Sequence, residues 1–172
     1  MRKLKLLLAM LAATAGARAF AIDATIYYSG EIAQPSCTVD TSSLNQTVNL
    51  GSATVMDFGA IGSTLNPTAF NVLLNSCGPG TKVTMTVNGT MDTVASVLQN
   101  TGTATQVGVQ LLQATSSGAT SGTPITLNSA INLGTVDATN AMTIPMVAQF
   151  YRLGSLTAGS VTAAATVNFT YN

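Results

Sequence analysis

The amino-acid sequence predicts an all-β domain, a sandwich or barrel of short strands. Three observations predict it. Short runs rich in Val, Thr, Ile and Tyr recur along the chain, separated by Gly, Asn, Ser and Pro. No helical apolar period stands out beyond the N-terminus. The 172 residues suffice for one domain with a real core, and 47% of them are apolar. Only 7% are charged, against roughly 25% in an average globular chain.

The N-terminus decides the charge of the mature chain. "MRKLK" is a positive n-region and "LLLAMLAATAG" an apolar stretch too short to span a bilayer. Small residues follow, at Ala17-Arg18-Ala19 and Ala19-Phe20-Ala21. Residues 1–21 therefore read as a secretory signal cleaved after Ala19 or Ala21, an uncleaved anchor being the alternative. No later stretch is long and apolar enough for a transmembrane helix. Cleavage removes Arg2, Lys3, Lys5 and Arg18, leaving Lys82 and Arg152 against Asp23, Glu31, Asp40, Asp57, Asp92 and Asp137. Two basic against six acidic residues gives a net charge of −4. Such a chain has no basic patch for phosphates, so nucleic acid and anionic membrane surfaces are poor partners.

The elements follow in order. "IDATIYYSGEI" alternates: Ile22, Ala24, Ile26, Tyr28, Gly30 and Ile32 share one face of an extended chain, and polar residues or Tyr27 occupy the other. "SCTVD", "QTVNL", "TAFNVLLNSC", "TKVTMTVNG", "QVGVQLLQA", "TPITL" and "MTIPMVAQFYR" are further predicted strands. Lys82 points outward in its strand. "CGPG", Asn88-Gly89 and "ATSSGATSGTP" supply turns or loops between them. "STLNPTAF" and "MDTVASVL" are candidates for a helical turn. The last run, "VTAAATVNFTY", places Val161, Ala163, Ala165, Val167, Phe169 and Tyr171 on one face. A half-apolar strand thus lies at each end of the mature chain. Either the two pair with each other, or one serves another chain, since an exposed apolar edge is otherwise a hazard.

Cys37 and Cys77 read as one disulfide in an exported chain. A two-thiol metal site or a catalytic thiol is the alternative, but histidine is absent and completes neither. Its absence also removes Ser-His-Asp catalysis and the commonest metal ligand. The carboxylates are scattered, and the single Gly-x-Gly, Gly78-Pro79-Gly80, precedes no helical pattern. No enzyme, cofactor or metal is expected.

Taken in order, these pieces resemble the pilin subunits of chaperone–usher pili, the type 1-like fimbrial proteins of Gram-negative bacteria. "YYSGEIAQPSCTV" resembles the family's aromatic-x-Gly-x-Ile/Val segment leading to the first cysteine. "FNVLLNSC" resembles the second-cysteine strand, "VGVQLL" with "TPITLN" the central hairpin, and "IPMVAQF" the strand before last. "LTAGSVTAAATVNFTYN", with Gly159 ahead of the strand and penultimate Tyr171, resembles the terminal strand. Met146 and Gln149 depart from the Phe and Arg that the family often has, and Arg152 lies three residues beyond Gln149. The segment ahead of Gly30 is short, closer to the family's minor, tip-proximal subunits than to its rod subunit.

The resemblance implies an incomplete immunoglobulin-like β-sandwich that lacks its last strand. Residues 22–33 are then an N-terminal donor-strand extension and 34–172 the pilin domain. The donor row is Ile22, Ala24, Ile26, Tyr28, Gly30 and Ile32. The acceptor groove lies beside Gly159, Val161, Ala163, Ala165, Val167, Phe169 and Tyr171. The implied partners are a periplasmic chaperone, an outer-membrane usher, neighbouring pilin subunits and, through an adhesin, a host surface. The implied location is the cell-surface fimbria. Burying Ile22, Ile26, Tyr28 and Ile32 contributes roughly 6–12 kcal/mol gross, partly offset by the entropy of ordering the strand. A glycan-binding adhesin and a self-complemented secreted sandwich are the competing readings. Too few residues precede the pilin-like part for a separate lectin domain, whereas loop 114–124 offers a surface for glycan.

Overall fold

The structure is a computed structural model that describes residues 26–30 and 36–172. The chain divides into two units, Met1–Ile32 and Ala33–Asn172. Residues 26–30 of the first unit have no regular secondary structure.

Nine strands form among the described residues of the second unit. They are β1 (Thr38–Val39), β2 (Thr64–Asn75), β3 (Lys82–Asn88), β4 (Val97–Gln99), β5 (Thr105–Ala114), β6 (Gly122–Pro124), β7 (Ala130–Thr135), β8 (Met142–Thr157) and β9 (Thr166–Tyr171). The larger sheet runs β1-β2-β8-β5-β4, with β6 also paired to β5, and the smaller runs β7-β3-β9. Every named pairing is antiparallel.

The core lies where the two sheets face each other. Val72 and Leu74 of β2, Ile144 and Met146 of β8 and Leu111 of β5 meet Val83, Met85 and Val87 of β3 in one cluster. β3 shows the predicted alternation, with Lys82 exposed and Val83, Met85 and Val87 buried. β8 is buried without a break from Met146 to Phe150, because its other face is covered there too. There Val147 packs with Leu112, Ala114 and Ala119. Beside them Gln149 Nε2 donates to Gln110 Oε1 at 2.7 Å, and Gln110 Nε2 donates to Ser96 Oγ at 3.0 Å. Buried amides are tolerated here because they satisfy one another.

Several expectations are corrected. "STLNPTAF" holds no helical turn, since β2 begins at Thr64 and passes Pro67 at a bulge between Leu65 and Thr68. "MDTVASVL" ends in β4 instead of a helix. The sequence does not predict β7, in which Gly134 sits at φ +95 beside a register shift and so reads locally as a turn. "QTVNL" forms no strand, and the strand predicted over 161–171 forms only from Thr166.

Candidate functional site

β9 is paired on one side only. β3 holds it from Val83↔Tyr171 to Asn88↔Thr166. No strand pairs its other edge among the described residues. Its core-facing Val167, Phe169 and Tyr171 are half-buried, while Val83, Met85 and Val87 opposite are at most 1% exposed. Cover is therefore missing on the side of β9 away from β3. Phe169 and Tyr171 stack on that face, their ring centroids 6.5 Å apart. Burial pushes the Tyr171 phenol above its usual pKa.

The second border is residues 45–53. Val48 and Leu50 pack against the same core cluster as Val167, Phe169 and Tyr171. No backbone-to-backbone hydrogen bond joins residues 45–53 to any described residue. Side chains from the β2 bulge hold the segment instead. Asn66 adopts φ +52, and its Nδ2 donates to the Leu50 and Ser52 carbonyls at 2.9 and 3.0 Å. Thr68 Oγ1 donates more weakly to the Asn49 carbonyl at 3.4 Å. A polar backbone left without partners along a half-buried apolar row is the local form of an absent strand.

Beyond one end of the two borders, where residues 51–53 run on to Phe58 and the chain leads up to β9, lies a cleft of about 490 Å³ lined by Ala53, Val55 and Phe58 and by Leu156, Gly159 and Val161. Phe58 rests against Phe150 at its floor, with centroids 6.4 Å apart. Gly159 makes this wall possible. A Cβ there would lie 2.4 Å from the Ala104 nitrogen and 2.6 Å from the Thr103 carbonyl carbon. Ala104 N–H donates to the Ser160 carbonyl at 3.0 Å and Thr101 N–H to the Thr162 carbonyl at 2.8 Å. These bonds draw residues 160–162 toward 101–104, which is why β9 starts late.

The sequence profile described as "Fimbrial protein" matches residues 26–172. A fimbrial subunit type 1 of Klebsiella pneumoniae is 32% identical over 156 residues, spanning 86% of this chain and 82% of its own. The chain belongs to the fimbrial protein family. Among solved structures, an antigen and type I fimbria protein of Burkholderia pseudomallei superposes with a TM-score of 0.55 at 28% identity. It covers 81% of this chain and 90% of its own. The P pilus rod subunit PapA shares the fold, with a TM-score of 0.62 at 16% identity over 79% of this chain and 99% of its own. The two-sheet arrangement is thus the incomplete immunoglobulin-like sandwich of pilins.

In this fimbrial subunit Cys37 and Cys77 form a disulfide, so the metal and free-thiol alternatives for them fall away. It closes a separation of 40 residues, a constraint worth roughly 4 kcal/mol in the chain-entropy model. The groove residues divide. Val161, Ala163, Val167, Phe169 and Tyr171 are half-buried, whereas Ala165 is exposed. The chain leaves strand geometry there, and Ala165 lies beside Gly89 instead of facing the core. In the extension, Ile26, Tyr27 and Tyr28 are 67%, 90% and 89% exposed, and a Cβ at Gly30 meets nothing within 4 Å. Ile22, Ala24 and Ile32 lie outside the described residues, as does the signal segment 1–21. Nothing in the sequence marks the second border, with Val48, Leu50 and Ala53, or the cleft residue Phe58, as part of a groove. The alternation in "QTVNL" is the border's visible signal, though by itself it predicts only an ordinary strand.

Proposed function

We propose that residues 22–32 of one copy complete the sandwich of the next, lying between residues 45–53 and β9. The protein is a structural fimbrial subunit, and this strand exchange is how it polymerises. A periplasmic chaperone first occupies the groove, the outer-membrane usher exchanges it for the neighbour's extension, and the fibre supports adhesion of the bacterium. Main-chain hydrogen bonds to the free edge of β9 supply the ladder, and alternate side chains of the extension fill the half-buried row. One observation carries this reading: β9 is bonded on one side only, and its three core-facing side chains lack cover on the other. The exposed Ile26 and Tyr28 match that gap in kind.

Deleting residues 22–32 from the chromosomal copy tests it. The truncated subunit should still be recovered with its chaperone and should occur at one fibre end. Its presence inside long fibres, detected by immunogold labelling, would sink the proposal.

A further inference from the structure

Arg152 does not line the cleft itself. The structure puts it behind the cleft. Its Nη1 donates to the Gly59 carbonyl, and its Nε donates to the Gly154 carbonyl at 2.9 Å. Its backbone is engaged as well: Gly62 N–H donates to the Arg152 carbonyl and Arg152 N–H to the Ser63 carbonyl, both at 2.9 Å. Gly59 directly follows Phe58, the aromatic wall of the cleft.

Little else holds loop 55–63. Met56 is 91% and Ile61 69% exposed, and Val55 is 40% exposed. Phe58 is the one large side chain of this loop that packs against the core beneath. Thr54 N–H donates to Asp57 Oδ2 at 2.6 Å, which shapes the first turn but ties it to nothing beyond the loop. Beside the Phe58–Phe150 contact, the guanidinium is therefore the polar side-chain tie between the loop and the larger sheet. Its bonds are charge-assisted and fix a backbone carbonyl next to the wall.

We infer that Arg152 is a positioning residue for strand uptake: by fixing Gly59 it holds Phe58 in place and keeps the cleft shaped for one end of the incoming extension. This rests on the proposed exchange of residues 22–32. Because the cleft lies at one end of the groove, the dependence on Arg152 is confined to one terminal residue of the donor row, Ile22 or Ile32.

The test uses the mature full-length subunit in complex with its chaperone and a fluorescein-labelled synthetic peptide of residues 22–32, followed by anisotropy. Arg152→Met should slow uptake about tenfold, the size of one lost charged hydrogen bond. Arg152→Lys, which keeps one donor, should recover part of the rate. Peptides carrying alanine at Ile22, Ile26, Tyr28 or Ile32 then form double-mutant cycles with Arg152→Met. One terminal position should be non-additive and the others additive. Uptake by Arg152→Met at the wild-type rate overturns the inference. So does slowing spread evenly over all four peptides, which a merely structural role would produce. If Met prevents recovery of the complex, the same cycles run with Arg152→Lys decide. If the wild-type complex takes up no peptide at all, the exchange reading itself fails, and the inference with it.

Discussion

Two glycines, one lining the cleft and one in the extension, show how the same residue type acts through opposite surroundings. Gly159 is crowded: any side chain would press on the backbone of Thr103 and Ala104. Gly30 is free: a Cβ there meets nothing within 4 Å. A side chain at position 30 should therefore leave this subunit's own fold unharmed, while adding bulk to the apolar row that, in the proposed exchange, another groove must admit. Gly30→Leu should leave the melting temperature of the chaperone-bound subunit unchanged and cut its incorporation into fibres by an order of magnitude or more. An over-packed contact costs about 1–3 kcal/mol, enough for roughly that effect. Fibre yield by sedimentation and melting by fluorescence check the two halves separately. A variant that assembles normally would show that Gly30 faces no groove. Both glycines were visible in the sequence as positions within or ahead of a strand. The reason Gly159 must be glycine was not, because residues 103 and 104 lie far from it along the chain.

At the scale of elements, the sequence read the inner strands well and the borders of the groove badly, for one physical reason. β3, β5 and β8 each have a partner on both edges or bury an alternating face between layers, so local pattern and ladder agree. Residues 46–50 and 161–165 carry strand-like sequence and yet form no strand. The extension 26–30 behaves likewise. A strand needs a backbone partner as well as a pattern; for 46–50 and the extension the proposed partner is another copy, whereas residues 160–162 are drawn to 101–104 of the same chain. β7 was missed for the opposite reason, since its partner β3 imposes a strand on a segment interrupted by Gly134. The border at 45–53 consequently depends on side chains, above all on Asn66. Asn66→Gly keeps the left-handed backbone at the bulge but removes both bonds to the Leu50 and Ser52 carbonyls. It should lower stability by about 1–2 kcal/mol in urea and make residues 45–53 the first site of proteolytic nicking. Mass analysis of the earliest fragments would show this, and first cleavage elsewhere would count against it.

For the whole molecule, the scarcity of charge sets the response to pH. The chain has no histidine, and both cysteines are tied in a disulfide. No ordinary side-chain titration thus falls in the neutral range. Among the described acids, the Ser42 hydroxyl and backbone N–H, then Asn75, lower the Asp40 pKa. The Thr54 backbone does the same for Asp57, and the Thr139 hydroxyl and N–H for Asp137. A lowered carboxyl stabilises the fold above the unfolded value near 3.8 and loses that contribution as pH falls through the folded value. Tyr171 has the other sign. Burial raises its pKa above 10.0, so its contribution is complete below that value. It is lost as pH rises toward the folded value, where the unfolded chain already carries the phenolate. Stability should therefore be flat from about pH 5 to 9 and fall on both sides. The alkaline fall should shrink in Tyr171→Phe, which keeps the ring stacked on Phe169 but cannot ionise. In the proposed exchange the incoming strand lies along β9, so uptake should raise the Tyr171 pKa again and make the assembled groove more alkali-sensitive than the open one. Urea midpoints at pH 7 and 11, for wild type and Tyr171→Phe, with and without bound 22–32 peptide, separate these effects. An alkaline loss that is equal in wild type and Tyr171→Phe would place the titrating group elsewhere and remove β9 from the account of pH.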